Sequence, residues 1–191
     1  SKNEAHNFSI MAGYSQEQSD YRSMGASRQN YKFPLYEINA GDADATRNNS
    51  GSSTSWALMS AFGRANYNYK ERYLLEANIR YDGTSRIASE NRWGVFPSFS
   101  AGWRLTEEKF MKDLNLSWLN NVKFRGSWGL LGNQDIGTYP YQALLSMGMA
   151  YNYAYDNKNI TTGAAYSSAV NRDLKWETTA IGDFGLDLQL F

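Results

Sequence analysis

Few residues of this chain are of a kind that does chemistry, and their spacing argues against most reactions. His6 is the only histidine. A metal site needs partners of its own kind, and no neighbouring Ser or Asp suggests a triad. A structural or interior-facing histidine is expected. Cysteine is absent, which removes thiolate metal sites and cysteine nucleophiles. The run "GSWGLLG" places Gly126, Gly129 and Gly132 close together. It lacks the following helix and Lys that a phosphate cradle needs. Relief of crowding in a curved sheet, or at a strand end, suits these glycines better. Asp42 and Asp44 stand at the spacing of two oxygen ligands for calcium. No third carboxylate and no bidentate Glu follow at the right distances, so a solvated loop is expected there.

A Tyr- and Asn-rich stretch is the better candidate for binding. "TYPY" and "MAYNYAYDNKN" supply Tyr139, Tyr141, Tyr151, Tyr153, Tyr155, Asn152 and Asn157. Aromatic faces and amides suit sugars, and the same residues are enriched at protein interfaces. Hairpins that touch neither are an equal alternative. No catalytic constellation, cofactor site or metal site emerges, and an enzyme is not expected.

The bulk numbers narrow the class. The chain has 191 residues, with 19 Lys plus Arg balancing 19 Asp plus Glu. That balance argues against a nucleic-acid partner. Mean hydropathy is −0.61, and no apolar run is long enough for a membrane-spanning helix. A membrane barrel remains open, because polar interior residues and loops dilute its apolar ones. Aromatics make up 15%, with 14 Tyr and 6 Trp, beside 16 Gly and 3 Pro. This composition points to an all-β chain. No signal peptide precedes Ser1, so the chain is expected to start as a mature protein or inside a larger one.

Period-two alternation recurs along the chain. In "RYLLEANIRYDGTSR", Tyr73, Leu75, Ala77, Ile79 and Tyr81 oppose Leu74, Glu76, Asn78, Arg80 and Asp82. "WGVFPSFSAGWRL", "VKFRGSWGL" and "AIGDFGLDLQL" repeat the pattern from Trp93, Val122 and Ala180. In all four, every charged residue falls on one face. "AFGRANYNY" alternates too, and "HNFSIMAGYS" does so more weakly.

The connections are asymmetric. "KER" between Tyr69 and Tyr73 is a tight turn, whereas residues 21–56, 83–92 and 132–175 read as polar or long loops. With strands running up and down, all three fall at one end, as in transmembrane barrels with short periplasmic turns and longer external loops. Residues 106–121 read as a short helix at the other end. Thr106 is placed to cap it, Glu107 and Glu108 suit its first turn, and Phe110 and Leu114 share a face. Ten strand residues span roughly 34 Å. Tilted by about 45°, they cover about 24 Å, close to the apolar band of an outer-membrane barrel. Tyr67, Tyr69, Tyr73 and Trp103 cluster at one set of strand ends, and Tyr81 and Trp93 at the other. Interfacial girdles look like this. Pattern alone leaves two folds open: a membrane barrel, or a soluble β-sandwich acting as a glycan-binding module.

A resemblance separates them. "FGRANYNYKERYLLEANIRYDGTSR", "NRWGVFPSFSAGWRLTEEKFM", "WLNNVKFRGSWGLLGNQDIGTYPY", "NRDLKWETT" and "GLDLQLF" occur in this order. Together they resemble the barrel of the SusC/RagA family of TonB-dependent outer-membrane transporters, from about Ala57 to Phe191; "HNFSIMAGYSQEQ" resembles a further strand. The resemblance implies antiparallel up-and-down strands forming part of a large transmembrane β-barrel, with one short periplasmic helix. Residues 21–56 and 132–175 become extracellular loops, and 106–121 a periplasmic connection. Family barrels have about 22 strands and a plugged lumen. They import oligosaccharides or peptides across the outer membrane of Gram-negative bacteria. A SusD-like surface lipoprotein covers the mouth, and TonB pulls on the plug. Nothing in this chain resembles a plug, and six or so strands cannot close such a barrel, so an internal piece of the wall is expected. Phe191 shares its parity with Gln189 and Asp187, which suits an internal strand position. On this reading Arg64, Glu76, Arg80, Arg104, Lys123, Arg125 and Asp187 face the lumen, and the opposite set faces outer-membrane lipid. The triplets at Asn115 and Asn159 match a glycosylation acceptor, but this compartment gives the match little weight.

Overall fold

The computed structural model describes residues 5–42, 47–147, 152–154, 160–161, 163–166 and 169–191. The chain forms two compact units, Ser1–Glu17 with Leu58–Phe191, and Gln18–Ala57. Six long strands make the main sheet: β1 (His6–Ser27), β2 (Asn48–Tyr69), β3 (Tyr73–Thr84), β4 (Trp93–Arg104), β5 (Leu119–Asn133) and, after four short strands, β10 (Glu177–Leu190). Their spatial order is β1-β2-β3-β4-β5-β10. The pairs from β2 to β10 are all antiparallel. The long connection holds two small two-stranded sheets. β6 (Leu145–Met147) pairs with β9 (Ala164–Tyr166), and β7 (Tyr153–Ala154) with β8 (Ile160–Thr161).

In the first unit the sheet is inverted relative to a water-soluble one. Along β3 the apolar set is the exposed one: Tyr73 and Leu75 are each 40% exposed, Ile79 53% and Tyr81 45%. Leu74, Glu76 and Asn78 are half-buried and Asp82 is buried; Arg80 is the exposed member of the polar set. On β4, Trp93, Val95, Phe99 and Trp103 are likewise exposed while Phe96 is buried. A soluble sheet would bury the first set against a second layer. The sandwich alternative requires such a layer. The only other sheets among the described residues are the two-stranded ones of the long connection.

Aromatic rings gather at both ends of the exposed face. At the tight-turn end His6 lies 4.6 Å from Tyr69, which stacks with Tyr73 at 6.3 Å. Tyr73 is the cross-strand partner of Trp103, which stacks on Phe124 at 5.9 Å. At the other end Tyr81 and Trp93 stack at 4.7 Å and 13°. Tyr73 and Tyr81 are eight residues apart on one strand, or about 27 Å. His6, expected to be structural or interior-facing, takes the structural place: its Nδ1 lies 2.9 Å from the Tyr67 hydroxyl within the lower ring cluster.

Rings also lie flat on the polar face, and they do so over glycines. The Phe62 ring occupies the space a side chain at Gly13 would fill, and Phe96 covers both Gly94 and Gly132. Gly129 accommodates the Ser98 side chain in the same way. Gly126 has only ordinary contacts around it. Relief of crowding therefore explains two of the three glycines in "GSWGLLG".

Several expected boundaries shift. Residues 21–27 and 48–56 are strand, so the connection between β1 and β2 is 28–47. In the second unit Ser23 Oγ meets Ser52 Oγ at 2.7 Å, and this pairing holds a Ser- and Gly-rich stretch of weak β-propensity in place. Residues 132–133 still belong to β5, and the long connection contains short strands. The helix expected in 106–121 is one turn of 3-10 helix (Leu105–Glu107) followed by α1 (Lys109–Asp113). Thr106 does not cap it. Its hydroxyl donates to Asn121 Oδ1 and accepts the Val122 N–H, both at 3.4 Å, and Glu108 occupies the N-cap position without a capping side-chain bond. Asp42 bonds through its backbone N–H to the Gln29 carbonyl; Asp44 lies outside the described residues.

Candidate functional site

The polar face of the first unit carries a network of opposite charges and amides, some paired across strands and some along one strand. Arg64 on β2 faces Asn78 on β3, and its Nε donates to Asn78 Oδ1 at 2.7 Å. Asn78 in turn donates to Glu76 at 2.9 Å, leaving Arg64 and Glu76 3.9 Å apart. Arg80 binds Asp82 through two nitrogens at 3.2 and 3.3 Å, donates to Ser60 at 3.2 Å, and lies 5.5 Å above the Phe62 ring. Arg125 donates to Asp187 at 3.2 Å. Arg104 reaches Glu71 at 3.4 Å and Glu107 at 3.5 Å. Among the described residues Lys123 has no ion-pair partner; its backbone faces that of Asp187 on β10 and Arg104 on β4.

All seven charged residues singled out from the sequence thus stand on one face. Two hollows of about 580 and 600 Å³ run along it. The first is lined by Asn66, Asn68, Glu76, Ser100, Lys123 and Arg125, among others. Phe8, Tyr67 and Leu74 line it as well, so amide, hydroxyl and charge are interleaved with apolar surface. Among the described residues no group of three or more metal-binding side chains occurs.

The rim at the β3–β4 loop is more tightly built than its polar composition suggests. Ile87 and Thr84 are fully buried and Ala88 nearly so. Four interactions tie this loop to the long connection. Arg86 pairs with Asp135 at 2.9 Å, the Tyr141 hydroxyl donates to the Ser85 carbonyl at 3.4 Å, Asn91 donates to the Arg172 carbonyl at 3.4 Å, and Trp176 Nε1 donates to the Arg92 carbonyl at 2.8 Å. Trp176 also meets the buried Phe96 edge-on at 5.1 Å. Glu90 is held below its ordinary pKa by its own backbone N–H first and the Ser89 hydroxyl second.

Of the Tyr and Asn candidates, Tyr139 and Tyr141 come together, with rings 6.1 Å apart and edge to face. Tyr139 holds a positive φ of 53°. Asn152 and Tyr153 are exposed, and Tyr153 belongs to β7. Tyr151, Tyr155 and Asn157 lie outside the described residues.

At the opposite rim a carboxylate unites three elements. Glu108, 9% exposed, accepts from Arg72 at 2.8 Å, from the Tyr73 hydroxyl at 2.7 Å and from Trp103 Nε1 at 3.1 Å. The Tyr73 bond, joined by Trp103 and Arg72, holds its carboxyl below the ordinary value against the opposing pull of burial. Glu107 is lowered chiefly by its 2.6 Å bond from Lys112. The sequence placed Glu108 in a helix's first turn and missed this site. The neighbouring Arg72, Tyr73 and Trp103, at strand ends that the tight turn and connection bring together, were the available signal.

The family model for the TonB dependent receptor-like β-barrel matches residues 3–191. The chain belongs to this family. TonB-dependent receptor SusC of Bacteroides thetaiotaomicron is 37% identical over 190 residues, covering 96% of this chain and 18% of that protein. A TonB-dependent receptor of Formosa agariphila is 34% identical over 198 residues, covering 99% of this chain and 17% of that protein. The structure of the RagAB peptide transporter matches with a TM-score of 0.85 at 27% identity, over 100% of this chain and 20% of that one. This TonB-dependent receptor segment therefore spans about a fifth of the relatives it matches. Its sheet is part of a transmembrane β-barrel.

Proposed function

We propose that the chain forms part of the wall and extracellular mouth of a TonB-dependent importer that carries oligosaccharides or peptides across the outer membrane of a Gram-negative bacterium. The inverted sheet carries this reading: the apolar side chains of β3 and β4 are the exposed ones, while Arg64, Glu76, Arg80, Asp82, Arg125 and Asp187 of the other face pair among themselves. Tyr73, Leu75, Ala77, Ile79 and Tyr81 face lipid. Arg64, Glu76, Arg80, Arg104, Lys123, Arg125 and Asp187 face the lumen and its plug. The rim of residues 83–92 and 134–176 is extracellular, and the tight turn and residues 105–118 are periplasmic. A SusD-like surface lipoprotein and TonB, acting through a plug region outside this chain, are the partners. Both nutrient classes remain in the proposal: the peptide class is supported by the RagAB likeness, and the oligosaccharide class by the aromatic and amide side chains of the loop.

Two measurements on the full-length protein test it. Ile79→Arg puts a charge on the lipid face, at a cost of about 2–4 kcal/mol near the midplane. It is expected to abolish accumulation in the outer membrane, whereas Ile79→Leu is tolerated; normal abundance of the arginine variant would overturn the wall assignment. Deletion of the gene is expected to remove TonB-dependent growth on one class of oligosaccharide or peptide. Undiminished growth on all of them would sink the importer reading.

A further inference from the structure

The connection between β4 and β5 does more than close a turn. Its start reaches both faces of the sheet, and Glu108 takes the apolar one. Glu108 takes hydrogen bonds from Tyr73 and Trp103, both members of the apolar set. Val122, on the same face, is 6% exposed, and the Thr106 hydroxyl meets its backbone N–H. The segment therefore grips the edge of the wall from both faces, Glu107 on Arg104 of the polar face and Glu108 on Tyr73 and Trp103 of the apolar one. Beyond this anchor it exposes large apolar side chains: Phe110 is 55% exposed, Leu114 58% and Trp118 50%. Phe110 and Leu114 are four residues apart at either end of α1, where side chains share a helix face. Lys109 precedes them, and Lys112, between them, is bonded to Glu107.

We propose that residues 109–118 are an interfacial anchor, lying in the periplasmic leaflet at headgroup depth. Phe110, Leu114 and Trp118 enter the acyl boundary, and Lys109 meets lipid phosphate. The occupant is phospholipid, because Glu108, immediately before α1, is bonded to Tyr73 and Trp103 at the edge of the lipid-facing wall, and the side chains that follow it are apolar, exposed and next to Lys109. The inference rests on the wall reading above.

The test uses the full-length transporter in phospholipid nanodiscs, with other cysteines removed. Nitroxide labels are placed singly at Phe110→Cys and Leu114→Cys. Ile79→Cys serves as the mid-wall reference, and Glu71→Cys, at the tip of the tight turn, as the water reference. Collision with oxygen reports lipid, and collision with a water-soluble nickel chelate reports water. Labels at 110 and 114 are expected to lose nickel access severalfold relative to position 71 while keeping oxygen access, at a depth shallower than position 79. Nickel access equal to that at position 71 would overturn the anchor. So would loss of access to both reagents, which means that protein and not lipid covers the patch. Position 79 in water would bring down the wall reading and the anchor with it; position 79 in lipid with 110 and 114 in water would remove the anchor alone.

Discussion

Phe96 shows how a single side chain on the polar face depends on residues that have none. Its ring is 6% exposed, lies across Gly94 and Gly132, and meets Trp176 edge-on. A side chain at Gly132 would displace a ring already held by Trp176. Gly132→Val is therefore expected to destabilise the full-length barrel by about 1–3 kcal/mol, the usual cost of overpacking. Phe96→Leu in the same protein should recover part of that loss, a coupling read from urea midpoints of the four variants in one detergent. Strict additivity would show that the ring and the glycine do not share space. Glu108 offers a second test, through pH. Its carboxyl is depressed in the folded state by Tyr73 first, with Trp103 and Arg72. A depressed carboxyl adds stability that is complete above its ordinary value of 4.5 and is lost as pH falls through the lowered value. Exchange of the Met111 and Lys112 amides, which bond to the Glu108 carbonyl, is expected to lose protection only in acid below about 4.5. Glu108→Gln should weaken protection at neutral pH and abolish the acid step; an acid step that survives in that variant would assign it to another group. Neither arrangement could be read from the sequence in full. Alternation put Phe96 on the polar face, but nothing local says that a ring lies sideways over two glycines of other positions. Ile87 is the one large apolar residue in a polar loop, without periodicity to mark it as fully buried.

The elements were more legible than their ends. Period two fixed the faces of β3, β4, β5 and β10, and the charges followed the pattern into the structure. Strand ends failed where pairing overrides propensity: Ser, Gly and Asn of residues 48–56 read as loop and form strand because β1 supplies a partner. The helix in 106–121 shrank to five residues because specific bonds of Thr106 and Glu108 to the strands compete with capping. The tight turn was expected, but its conformation was not. Lys70 and Glu71 hold φ of 51° and 54°, values that side chains with a Cβ adopt at a cost of about 1–2 kcal/mol per residue. The Arg72 N–H closes the turn on the Tyr69 carbonyl at 2.9 Å. Two successive left-handed residues are the geometry that Asn-Gly prefers. Lys70→Asn with Glu71→Gly is thus expected to stabilise the barrel by about 1 kcal/mol. The exposed Arg104–Glu71 pair given up in exchange is worth less than that. A lower urea midpoint for this double variant would show that the turn carries a role beyond geometry.

For the whole molecule, the decisive feature is what six strands leave unmet. Among the described residues β1 and β10 each have one neighbour in the sheet, so one edge of each is left without a strand partner there. Lipid does not tolerate such edges, and in water they pair with other copies. The apolar face adds a second liability, since Tyr73, Leu75, Ile79, Tyr81, Val95 and Phe99 are all at least 40% exposed on it. Water would have to wet this face, whereas a soluble domain of this size hides its equivalent in a core. The described hydrophobic core consists of Ile87, Ala88, Phe96 and Val122, too little to offset the chain entropy of a sheet this large. Expressed alone and without detergent, the 191-residue chain is therefore expected to aggregate, with the β-rich spectrum of edge-paired sheets. The decisive comparison is size-exclusion chromatography and urea unfolding of this chain beside the full-length protein in detergent. The full-length protein should run as a discrete species with a cooperative transition, and the isolated chain should do neither. A monomeric, cooperatively unfolding chain in plain buffer would mean that the exposed face is covered by the chain's own residues, and would return the soluble sandwich to consideration.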